Sequence, residues 1–124
     1  MRILVASNST SKRTDYFIKA GRSLGADTCF VTYDELSAVL PDCRDTVVKL
    51  EPPVFREADF RKYNLLCEEY RSLLSRLADT DKSESVHFLN EPAAILCALD
   101  KVYTQRKLTG AGLKTRPPSQ DIVV

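Results

Sequence analysis

Neither sign of charge dominates this 124-residue chain: 18 Lys and Arg stand against 17 Asp and Glu, a formal net charge of +1. So close a balance leaves no electrostatic footprint for nucleic acid or an anionic membrane surface. Long apolar runs are missing as well. Nothing approaches the roughly 20 apolar residues a membrane-spanning helix needs. Ile3-Leu4-Val5-Ala6, followed by a polar loop, is too short for the apolar stretch of a signal peptide, so the expected location is the cytoplasm. Histidine is reduced to His87, and Cys29, Cys43, Cys67 and Cys97 are far apart, with no Cys-x-x-Cys. Zinc sites draw their ligands from close pairs, so no metal-ligating residue is assigned and the cysteines read as buried free thiols. The glycines form neither G-x-G-x-x-G nor G-x-x-x-x-G-K-[ST], which removes the two commonest glycine-built phosphate sites.

What is present is an alternation of short apolar runs with amphipathic stretches. Strands are predicted near residues 2–7, 28–33, 46–50 and 86–89, and helices near 12–24, 56–78 and 93–111, the last broken near Asp100. Tyr16, Phe17, Ala20 and Leu24 define the apolar stripe of the first helix. Gly25 stands where a left-handed helix end belongs. Asp34-Glu35-Leu36 opens one further helical turn, stopped near Pro41. Phe60, Tyr63, Leu66, Cys67, Tyr70, Leu73, Leu74 and Leu77 form the clearest helical stripe in the chain, and Ile122-Val123-Val124 reads as the start of another strand. Apolar strands alternating with helices predict an α/β fold, a three-layer Rossmann-like parallel sheet, with residues 1–124 as a single domain.

In such sheets, ligands bind beyond the carboxyl ends of the strands. Those ends are Ser7-Asn8-Ser9-Thr10-Ser11-Lys12-Arg13, Tyr33-Asp34-Glu35, Glu51-Pro52-Pro53 and Asn90-Glu91-Pro92. The first offers hydroxyls, an amide and two cations near a helix start, which suit an anion or simply cap the helix. Catalytic candidates are weak. His87 sits within a short strand without a nucleophile at meaningful spacing, and Asp34-Glu35 and Glu68-Glu69 read as first-turn and solvent-face acids. A phosphoacceptor domain needs acids after the first strand and an Asp after the third. Ser7-Asn8 and Glu51-Pro52 occupy those places.

One stretch has more character. Asn90 and Pro92 follow a strand, then come Ala94, Ile95, the pair Asp100-Lys101, Leu108, Gly112, Leu113, Pro117 and Pro118. In order and spacing this segment resembles the one that closes the N-terminal (pre-ATP-grasp) domain of ATP-grasp ligases, with Arg116 delaying the proline by one residue. The resemblance implies the substrate-side domain of an ATP-dependent carboxylate–amine or carboxylate–thiol ligase. It implies that the chain is a truncated N-terminal fragment, inactive alone, with no catalytic residue of its own. Lys101 would reach the nucleotide phosphates, and Ser7, Asn8 and Asn90 would wall a small carboxylate substrate. ATP and Mg²⁺ would be held by C-terminal grasp lobes, and the surface left uncovered would favour a homodimer. The alternative is a free-standing Rossmann-like binding or interaction module without chemistry.

Overall fold

The computed structural model describes residues 1–56, 59–79 and 85–113, the side chains of 101–104 excepted. The readings for Pro117-Pro118 and Ile122–Val124 fall outside these residues.

Among the described residues ten elements follow one another: β1 (Arg2–Ser7), α1 (Lys12–Ser23), β2 (Asp27–Thr32), α2 (Tyr33–Val39), a 3-10 turn (Leu40–Asp42), β3 (Thr46–Leu50), α3 (Phe60–Asp79), β4 (Val86–Phe88), α4 (Pro92–Leu99) and α5 (Lys101–Gly110). The four strands form one all-parallel sheet in the order β2-β1-β3-β4. The architecture is α/β and compatible with a Rossmann-like fold.

Local chemistry sets most of the boundaries. Ser11 caps α1 in a reciprocal box with Thr14, and Thr32 does the same for α2 with Glu35. Tyr33 therefore belongs to α2 and not to the second strand. That helix runs seven residues instead of a single turn. Asp59 accepts from the backbone N–H groups of Arg61 and Lys62 and so starts α3. Two helices end in the same way. The N–H of Ala26 bonds the carbonyl of Gly21 and that of Gly25 bonds Arg22, with Gly25 at φ +83°. Leu113 bonds Leu108 and Gly112 bonds Thr109, with Gly112 at φ +88°. Both are double-bonded left-handed terminations that glycine adopts without strain. Asp100, in extended backbone, separates α4 from α5, as the sequence suggests.

The core lies on one face of the sheet. Leu4, Ala6, Val31, Val48 and Leu50 meet Leu36 of α2 and Tyr70, Leu73 and Leu74 of α3, with Ile95 and Leu96 of α4 packed against them. Residues of the other strand parity meet α1: a Cβ on Gly21 would overlap the Thr28 hydroxyl, and Lys49 lies over the Phe17 ring. The buried positions of α1 are Thr14 and Gly21, whereas Tyr16 and Leu24 are exposed. The predicted stripe is therefore rotated. The helix approaches the sheet most closely at its smallest residue, and that contact decides which face turns inward. Among the cysteines only Cys43 is buried, and Cys97 is exposed, which corrects the expectation of four buried thiols. No helix among the described residues is long and apolar enough to cross a membrane.

The length of α3 carries it past the sheet. Its twenty residues span about 30 Å, whereas five or six strand residues span about 17–20 Å. The C-terminal half of α3 supplies the core. Its N-terminal half overhangs the carboxyl edge of the sheet, leaving Phe60 85% and Leu65 61% exposed.

Candidate functional site

The chain leaves β1 to one side for β2 and later returns to its other side for β3, so strand order reverses between β1 and β3. Carboxyl ends at such a reversal form the natural crevice of an open α/β sheet. Here the crevice is bridged. The Asn8 side chain pairs with the backbone of Val54, its Nδ2 donating to the carbonyl at 2.9 Å and its Oδ1 accepting from the N–H at 2.7 Å. The side chain thereby imitates one more rung of the sheet. Arg56 spans the same two loops, donating to the Thr10 carbonyl at 2.7 Å. Ser7 is fully buried, its hydroxyl within 3.2 Å of both Asn8 Oδ1 and the Pro52 carbonyl.

Below this bridge is a buried polar layer. The Tyr33 hydroxyl donates to the Glu51 carbonyl at 2.6 Å, and the Tyr33 ring stacks on Tyr70 with centroids 5.6 Å apart. Glu51 is 5% exposed, and its carboxylate holds Lys49 at 2.9 Å and Arg13 at 3.6 Å, tying the start of α1 to the end of β3. Removing either partner's charge would leave a buried ion short of compensation, the situation in which a buried pair matters. This cluster is not obvious from sequence. Its one signal is the alternation Lys49-x-Glu51, which places two opposite charges on one face of an apolar strand.

Burial pushes the Tyr33 phenol far above its ordinary range, with a hydrogen bond from Ser7 acting the other way. Burial also raises Tyr70, helped by the negative charge of Glu51. Unfolded phenols titrate near ~10. Above that pH the unfolded chain releases protons that the native chain retains, so stability is fully present below pH ~10 and declines as pH rises, by up to about 1.4 kcal/mol per pH unit per phenol. Urea unfolding across the alkaline range should show this decline, and Tyr33→Phe should make it shallower. An unchanged slope in Tyr33→Phe would show that the phenol is not protected.

Above the bridge a cleft of about 400 Å³ lies between the β1 and β3 loops and the overhanging half of α3. Asn8, Ser9 and Arg56 line one side, and Lys62, Leu65 and Glu69 project from α3. Phe55 also lines it and is braced edge-on by Tyr63 at 5.3 Å. Of the residues the sequence nominates for substrate, Asn8 lines this cleft. Ser7 lies buried behind it, and Asn90, exposed after β4, is outside it. Lys101 is the first residue of α5, but its side chain lies outside the described residues. Arg56, Phe55 and Glu69 are contributors that sequence reasoning does not single out, because each reaches the site only through the overhang of α3 and the fold of the loop after β3. Comparison with protein-family models, with curated proteins and with solved structures finds no match.

Proposed function

We propose that residues 1–124 form the three-layer, substrate-side domain of an ATP-dependent ligase of the ATP-grasp type. The observation that carries this reading is the backbone of the C-terminal segment. The helix breaks at Asp100, Lys101 opens α5, and Gly112 closes it in left-handed backbone. That is the local structure the resemblance calls for, and the cleft at the strand-order reversal gives such a domain a place for an acceptor substrate. Exposed Leu99, Leu108 and Leu113 fit a surface that further lobes would cover.

The chain's own part in the reaction is positional. Asn8, Arg56 and the Glu51 cluster hold two loops in fixed register, so that a bound acid is presented in one orientation. In a ligase of this type the nucleotide with its Mg²⁺ activates that acid. Among the described residues no group of three or more His, Cys, Asp or Glu could hold a metal ion, and the loop after β1 has no glycine to cradle phosphates. In this reading the grasp lobes hold the nucleotide and its metal, and Lys101 is the one residue of this chain that would reach the phosphates.

The protein translated from the complete reading frame should release phosphate from ATP in a carboxylate-dependent way. Lys101→Ala should impair that release. Unimpaired ATP use by Lys101→Ala would remove the nucleotide role of Lys101. A free-standing binding module would show ligand binding without any turnover.

A further inference from the structure

The content of the cleft is specific enough to name a class of ligand. Its volume, about 400 Å³, is in the range of small-molecule sites. Phe55, Leu65 and Leu66 give it an apolar wall. At the loop end stands Arg56, whose single hydrogen bond among the described residues, to Thr10, leaves most of its five N–H donors unspent. Glu69 lies on α3 seven residues, about 10 Å, from Lys62, and no ion-pair partner for it occurs among the described residues. A neighbouring groove shares Asn8, Leu65 and Glu69 and adds Asp34 and Glu68, together with Arg76. The cleft thus offers Arg56 toward the loops, an apolar middle, and on the α3 side the acid Glu69 together with Lys62.

We infer that this cleft binds a small zwitterion with an apolar body, the chemistry an apolar amino acid presents, its carboxylate on Arg56 and its ammonium on Glu69. The inference rests on the substrate-side reading above and names the substrate of that same site. A purely anionic ligand would leave Glu69 facing its apolar body or its charge. A purely cationic one would meet Arg56 in the same way, and unpaired or like charges in a partly enclosed site are a strong source of discrimination. Asn8 is already spent on Val54, so it shapes the wall and does not bind.

The test uses residues 1–124 and three probes: L-phenylalanine, 3-phenylpropionate and 2-phenylethylamine, each titrated while backbone amide resonances are followed. L-Phenylalanine should shift Ser9, Val54 and Leu66 in a saturable way. Each single-charge probe should bind about tenfold more weakly, the effect of one charge-assisted hydrogen bond. Arg56→Gln should weaken L-phenylalanine and 3-phenylpropionate but leave 2-phenylethylamine unchanged, and Glu69→Gln should show the reverse selectivity. Both side chains are exposed, so the fold should survive either change, and unchanged spectra away from the cleft will show that it does. Equal binding of all three probes, no saturable shift with L-phenylalanine, or loss without the crossed selectivity overturns the inference. Crossed selectivity without ATP-dependent turnover in the complete protein would leave the site standing and remove the ligase reading. Turnover without cleft binding would do the opposite.

Discussion

Leu74→Ala is expected to lower the unfolding free energy by about 3 kcal/mol, whereas Leu65→Ala, earlier on the same helix, should change it by no more than about 0.5 kcal/mol. Both residues belong to α3, and both substitutions delete the same atoms. Leu74 is fully buried in the core against the sheet, and Leu65 is 61% exposed where α3 overhangs the carboxyl edge. Truncating Leu74 removes its burial and opens a cavity that the surrounding Leu36, Tyr70 and Leu73 fill only in part. Truncating Leu65 removes little that was shielded from water. Urea midpoints at constant m-value measure both. Similar losses at the two positions would mean that the first half of α3 is packed and that the cleft beside it is not open.

Asn8→Ala is the second large effect. Its side chain satisfies both the N–H and the carbonyl of Val54 across a sequence separation of 46 residues. Alanine would leave that N–H and carbonyl without their partner, a loss of about 1–3 kcal/mol. The loss should be local before it is global. The Val54 amide should exchange with solvent much faster, while amides within β1 and β3 keep their protection. Asn8→Asp keeps an acceptor for the Val54 N–H but has no donor for the carbonyl, so it should fall between wild type and alanine. Retained protection at Val54 in Asn8→Ala would show that the bridge between the two loops is held by something else.

How far sequence alone reaches is clear from particular residues. Gly25 and Gly112 are legible because a left-handed helix end needs a residue without a Cβ, whatever the rest of the chain does. The break at Asp100 is legible for a similar reason, since an Asp before a new helix is a local signal. Strand positions follow from apolar runs, and the sheet comes out all parallel, as their alternation with helices implies. The inward face of α1 is not legible. Tyr16 and Leu24 look like core, yet closeness of approach at Gly21 against Thr28 turns them to solvent. Periodicity measures hydrophobicity along one helix, while packing distance depends on the partner strand. The apolar stripe of α3 is legible along its whole length, but not that only its second half meets the sheet. That depends on how long the helix is compared with the strands beneath it.

The site divides in the same way. The strand ends that carry it can be read off the chain, and Asn8 among them does line the cleft. That its amide is spent on Val54, and that Arg56 and Glu69 supply the charges, depends on contacts between segments far apart in sequence. Glu51 looks from sequence like a loop-end acid. It is buried because Lys49 and Arg13 compensate it from two different elements.

Phosphate release from ATP is the most direct test of the central claim, measured for the protein translated from the complete reading frame and, beside it, for residues 1–124 alone. The account predicts release by the complete protein that requires both Mg²⁺ and an added carboxylic acid, and none by residues 1–124, because phosphoryl transfer needs Mg²⁺ and several positioned cations. Release by residues 1–124 alone, release by the complete protein that ignores the acid, or a reading frame that stops at Val124 would contradict it.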